Sequence, residues 1–200
     1  MNDINSGPIY SKQVLEFVAV VTEWCNLVEL TDNFTKKEFI DKLHKLSAFV
    51  YQKATILPDT EQIFGDVEKF VTEIDWTLIN NKVEEKLVSN NDFVEVPEIE
   101  SYQTDTGAEL NLAEIIADIY QSLKDFLMLY QVGNEDSMND VLWEIKDEFG
   151  RYWGIRLNVL VQNLHKLLYS GQELIDEESQ EDKKDKFDKD DSWVSQKWDK

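Results

Sequence analysis

The segment NLAEIIADIYQSLKDFLMLYQVG, residues 111–133, decides the fold class. Its apolar residues Leu112, Ile115, Ile116, Ile119, Leu123, Leu127 and Tyr130 recur at three- and four-residue steps, which places them on one face of an α-helix. Both ends of that helix are marked as well. Asn111 with Glu114 is a capping signal, because side-chain oxygens at these positions can take backbone N–H groups that the first turn leaves without partners. Gly133 follows the stripe and can adopt the left-handed conformation that closes a helix. Glu114, Asp118, Gln121 and Asp125 form a polar ribbon beside the stripe, which a solvated helix face explains without chemistry.

The same reading extends toward the N-terminus. Ser11 caps a predicted first helix, running to about Leu30, in which Val14, Phe17, Val18, Val21, Cys25 and Val28 keep the helical spacing. Thr35 with Glu38 is a second capping box, and Phe39, Leu43, Leu46 and Phe49 or Val50 follow it as a stripe that Leu57-Pro58 ends. Asp59 or Thr60 opens a segment with Ile63, Phe64, Val67, Phe70, Val71 and Ile74, read as helical. A break near Thr72 to Trp76 leads into a helix through Ile79, Val83 and Leu87. Residues 89–109 have no helical period and read as a long acidic loop.

Beyond Gly133, Ser137 caps a last helix predicted as one piece, roughly Met138 to Tyr169. Leu142, Ile145, Phe149, Tyr152 and Leu160 lie on one face, and Trp143, Gly150, Gly154 and Val161 on another about 120° away. Two apolar faces predict a largely buried helix at the centre of the bundle, and the two glycines predict close approach by a neighbouring helix. The expected fold is all-α, a single bundle of five to six helices. Residues 1–9 form an N-terminal extension, 10–171 the bundle, and 172–200 a charged tail whose composition predicts disorder.

Composition agrees with the class and narrows the partners. Seven glycines and three prolines in 200 residues leave few breaks for an all-β fold. The net charge is −21, and most of it sits between residues 58 and 148, where 23 carboxylates face 5 basic residues. A surface of that sign repels nucleic-acid phosphate and anionic lipid and attracts basic partners. A halophilic source could also explain it, but plentiful lysine and large apolar residues argue against one. The longest apolar run, Phe17 to Val21, is far short of the ~20 residues a spanning helix needs. The N-terminus lacks the pattern of a secretory signal, so a cytoplasmic location is expected. One cysteine, Cys25, cannot form an internal disulfide.

Few residues invite chemistry. No Gly-rich phosphate loop, cofactor motif or basic stripe is present. His44 and His165 have no Glu three residues before them, so a bundle di-iron site is not expected, nor any other metal site. Cys25 lies on an apolar stripe without a cation to lower its pKa and reads as core. Residues 188–199 begin like a calcium loop but place Trp193 where the turn needs glycine and Asp199 where the loop needs glutamate.

Arg156 stands out, because it falls within an apolar face and a buried guanidinium must be paired. Asp118 and Asp125, seven residues apart on one flank of the preceding helix, are its candidate partners. The same three residues would line an anion-binding cleft if the arginine were unpaired. In the tail, Trp193 and Trp198 stand in a charged segment, which points to docking, either into a partner's groove or back onto the bundle.

The run from Asp118 to Phe126 and the run Phe149-Gly-Arg-Tyr-Trp153-Gly154 through Leu164-His165 resemble the C-terminal half of an uncharacterised bacterial helical family, a domain of unknown function. The resemblance covers about residues 10–170 and implies an all-helical cytoplasmic protein. It transfers no catalytic residues. Arg156, Ser122 and the charged tail depart from the family's pattern. The expected function is a non-enzymatic interaction module with an acidic surface and a basic protein partner. The alternatives are a small-molecule or anion binder, or an enzyme, with a cleft near Arg156, and a DNA mimic.

Overall fold

Three of the capping signals in the sequence, at Ser11, Thr35 and Asn111, open real helices. In the computed structural model, which describes residues 7–65, 67–97, 108–171 and 173–176, these residues form six α-helices and one two-stranded sheet. Helix α1 (Lys12–Glu29) starts where the Ser11 hydroxyl accepts from the Val14 N–H. Helix α2 (Lys36–Thr55) opens on a reciprocal box between Thr35 and Glu38, and α3 (Glu73–Leu87) on one between Thr72 and Asp75. Helix α4 (Leu112–Val132) opens on the Asn111–Glu114 box and ends at Gly133, whose φ of 77° is left-handed. Helices α5 (Glu135–Arg151) and α6 (Trp153–Tyr169) complete the bundle, and α5 is capped by Asn134, whose side chain accepts from the Asp136 and Ser137 N–H groups, rather than by Ser137 as read.

Helix α4 carries the largest buried surface. Of its 21 residues, 14 are buried, including Ile115, Ile116, Ile119 and Leu123 with no exposure. Each such side chain contributes about 1.5–3 kcal/mol when removed from water. The helix packs on α1, α3, α5 and α6, while α6 packs on α2, α4 and α5. Phe17, Phe126 and Trp153 meet at the centre, with ring centroids of Phe17 at 5.3 Å from Phe126 and 6.4 Å from Trp153. Cys25 is buried in this core, and burial pushes its thiol pKa well above the ordinary value.

Three segments depart from their sequence reading. The first is the expected single last helix, which breaks at Tyr152, where φ −132° and ψ −83° leave the helical region. No proline marks the break. Instead, Phe149 folds back across Gly154: a Cβ there would collide with the Phe149 carbonyl oxygen and come within 2.7 Å of its ring. The Trp153 indole N–H reaches back across the break to the Ile145 carbonyl at 3.0 Å. Gly154 is thus required by its own chain rather than by a crossing helix, and Gly150 faces open space.

The second is residues 58–65 and 67–72, which are not helical although the apolar residues keep a helical period. Four of their backbone N–H groups are claimed by side chains from other helices. Asp140 accepts from Ile63 N at 2.6 Å and Phe64 N at 2.8 Å, and Asp125 accepts from Phe70 N and Val71 N at 2.7 and 2.8 Å. Lys146 donates to the Leu57 carbonyl at 2.8 Å, and Asn139 to that of Glu61 at 2.7 Å. The third is the segment read as a loop over 89–109. Within it β1 (Phe93–Val96) pairs antiparallel with β2 (Ala108–Asn111), Phe93 opposite Asn111 and Val96 opposite Ala108. Alternation of exposed Phe93 and Glu95 with buried Val96 is a strand signal, too short to stand out in an acidic stretch.

Candidate functional site

Asp118 and Arg156 meet between α4 and α6. The Arg156 Nε donates to Asp118 Oδ2 at 3.0 Å, with only 12% and 15% of the two side chains exposed. Asp118 Oδ1 accepts the Trp76 indole N–H from α3, also at 3.0 Å. The guanidinium carbon lies 3.7 Å from the centre of the Tyr152 ring, a cation–π contact in a partly dry setting. Burial, then the adjacent Asp118 carboxylate, push the Tyr152 hydroxyl up to about 12. One carboxylate therefore ties α3, the α5–α6 break and α6 together. The guanidinium is engaged along its edge and across its face, which suits a structural clasp better than a waiting anion receptor.

Asp125 lies elsewhere. It is 4% exposed and accepts the two loop N–H groups named above, so it does not share Arg156 with Asp118. Burial raises its pKa, against those two hydrogen bonds and Lys69. Lys69 lies 3.2 Å from Glu144 and 3.5 Å from Glu148. Burial opposes the Lys69 charge, but Glu148 and Glu144 outweigh it and hold its pKa above normal, while burial raises that of Glu144. This cluster is packed around Phe126 and Ile145, with the one ammonium of Lys69 set among the carboxyl groups of Asp125, Glu144 and Glu148. Among the described residues, no three His, Cys, Asp or Glu are arranged to hold a metal ion.

His44 and His165, far apart in sequence, meet across α2 and α6 with ring centroids 5.6 Å apart. Tyr169 stacks 4.5 Å from His165. Burial first, then the neighbouring His165, lower the pKa of His44. Trp193 and Trp198, the candidate docking residues of the tail, lie outside the described residues.

Sequence reasoning missed the outer face of α3. Ile74 is 80% exposed and Leu78, one turn on, 56%. With Glu73, Thr77 and Asn81 they line a shallow depression of about 370 Å³, and exposed Glu84 and Glu85 continue the same side of the helix. Both lysines of α3 turn away from it toward neighbouring elements. Lys82 donates to the Glu29 carbonyl at 3.2 Å, and Lys86 to the Phe34 carbonyl at 2.8 Å. The result is a helix face of carboxylates and exposed aliphatics. The signal available in the sequence was the weak apolar spacing around Ile74, which read as core.

No helix among the described residues is long and apolar enough to cross a membrane. A family model described as a domain of unknown function, DUF5063, matches residues 8–170. The crystal structure of protein BF1032 from Bacteroides fragilis, a structural-genomics target, is similar in fold, with a TM-score of 0.74 and 31% sequence identity over 83% of this chain and 98% of that one. No curated protein matches the chain.

Proposed function

The chain belongs to the DUF5063 family of unknown function, and from that premise we propose that it is a non-enzymatic interaction module whose α3 face receives a basic, amphipathic segment of a protein partner. The observation that carries this reading is the pairing of Ile74 and Leu78, both exposed, with outward Glu73, Glu84 and Glu85 on a helix whose lysines face its neighbours. Two exposed aliphatics one turn apart are anchors for an apolar stripe, and the carboxylates around them select cations. The net charge of −21 adds long-range attraction for a basic partner.

The competing reading, an anion or small-molecule site at Arg156, has less support, because Asp118 and the Tyr152 ring already engage the guanidinium. A DNA mimic needs two ordered rows of carboxylates, whereas many here are committed to caps or ion pairs: Glu38, Asp75 and Glu114 cap helices, and Asp140 holds a loop.

The test is affinity capture with the intact chain and a variant carrying Ile74→Ser, Leu78→Ser, Glu84→Lys and Glu85→Lys. Proteins held by the intact chain, released by salt and not captured by the variant are the expected result. The same captured set from both chains would overturn the assignment of this face.

A further inference from the structure

A second surface, remote in chemistry from the α3 face, lies between α1 and α2. Leu27, Leu30, Phe34 and Leu46 line an open groove of about 480 Å³, with Lys42, Lys45 and Glu23 also on its walls. The volume is in the range of ligand-binding clefts. Leu30 is 51% exposed, so the groove offers apolar surface to water. The Lys42 ammonium lies 4.8 Å from the centre of the Phe34 ring, which places positive charge beside the apolar floor.

The described part of the chain ends near Phe34, one of the residues lining this groove. Asp176 Oδ1 accepts from the Lys36 backbone N–H at 2.8 Å, two residues after Phe34. The Lys86 ammonium joins the two, donating to the Phe34 carbonyl at 2.8 Å and lying 3.8 Å from Asp176 Oδ1. Residues 177–200 therefore follow a point held next to Phe34, one of the residues that line the groove. Trp193 follows Asp176 by 17 residues, which can span about 55 Å when extended. The far end of the groove at Leu46 is ten residues along α2 from Lys36, or about 15 Å at helical rise. Length poses no obstacle.

The chemistry also matches. Asp190 and Asp191 precede Trp193, so one short stretch offers an indole for the apolar floor and carboxylates for Lys42 beside it, Lys45 being paired with Asp41 at 2.6 Å. A tryptophan side chain buries on the order of 150–250 Å² when it finds a seat. Tethering makes the encounter intramolecular, which raises the effective concentration of the indole at the groove.

We propose that the α1–α2 groove is the seat of the chain's own C-terminal segment, with Trp193 on Leu30, Phe34 and Leu46, and Asp190 and Asp191 facing Lys42. This assignment is independent of the α3 reading, since the two faces share no residue. It makes the groove an internally occupied site that any external aromatic, acidic peptide must win by displacement.

The test uses the full chain labelled with 5-fluorotryptophan, each ¹⁹F signal being assigned by single Trp→Phe substitution. Trp193 is expected to resonate away from the free-amino-acid position. Leu30→Glu and, separately, Lys42→Glu, both at exposed positions, are expected to return it there while the Trp76 and Trp153 signals stay fixed and report an intact bundle. A Trp193 signal already at the free position in the parent chain, or one that neither variant moves, would overturn the proposal. A Trp193 shift that grows with protein concentration would also overturn it, because the groove would then hold the tail of a second copy.

Discussion

Arg156 and Asp118 form a clasp in which a side chain from α6 meets one from α4 at 3.0 Å, and the same carboxylate holds the Trp76 indole of α3. Breaking it from either side is not equivalent. Asp118→Ala leaves a guanidinium that is mostly buried and has lost its counter-ion, and should cost about 3 kcal/mol. Arg156→Met keeps volume but leaves the Asp118 carboxylate, 15% exposed, without its counter-ion; because the Trp76 N–H still holds one oxygen and the carboxyl can take up a proton, its cost should be smaller, about 1–2 kcal/mol. Urea unfolding of the two variants measures the difference; equal losses would contradict the clasp.

Asp125 predicts a pH signature. Its folded pKa is raised above the ordinary 3.8, chiefly by burial. Such a carboxyl stabilises the fold most below its unfolded pKa, and the contribution is lost as pH rises through the folded value. Both loop N–H groups bond to one oxygen, Oδ1, which the amide of Asp125→Asn retains. The variant should therefore gain stability relative to the parent as pH rises from below 3.8 toward neutrality. Asp125→Ala lacks the acceptor and should lose about 1–3 kcal/mol across the range. Unfolding free energies of the three chains at several pH values decide the matter, and a relative loss for Asp125→Asn on raising the pH would refute it.

The two glycines near the α5–α6 break should respond in opposite directions. Gly150 is helical and its Cβ position is open, so Gly150→Ala should stabilise by about 1 kcal/mol. Gly154→Ala drives a methyl into the Phe149 carbonyl and ring and should destabilise by roughly 1–3 kcal/mol. Thermal unfolding midpoints of the two single variants provide the comparison.

The α3 face should separate binding from stability. Glu84 and Glu85 are exposed and are not among the residues that cap α3. Reversing both to lysine should change unfolding free energy by no more than about 0.5 kcal/mol. Capture of a basic partner should nonetheless be lost, and binding to the parent chain should weaken steeply with salt. A large stability change would mean that these carboxylates serve the fold.

The elements that the sequence reading located are those whose instructions are local. The Asn111–Glu114 box, the Thr35–Glu38 box, the stripe of α4 and the stop at Gly133 are complete within a few residues, and each forms as read. For the candidate site, the reading placed Arg156 in an apolar face in need of a carboxylate, but it could not choose between Asp118 and Asp125. Both lie on one flank of α4, and only the placement of α6 and of residues 70–71 assigns them different partners.

What tertiary structure alone decided has a common physical cause. Residues 58–72 carry a helical period, yet the N–H groups of Ile63, Phe64, Phe70 and Val71 bond to Asp140 and Asp125, up to 77 positions away in sequence. The last helix carries an unbroken period, yet it breaks where Phe149 packs over Gly154. A backbone amide requires some acceptor and a side chain some partner, and periodicity names only the nearest ones. The sequence by itself determined which segments could be helices, where three of them were capped and the sign of the surface. Folding decided which of those helices formed whole, which carboxylates were consumed inside, and that Ile74 and Leu78 were left outside.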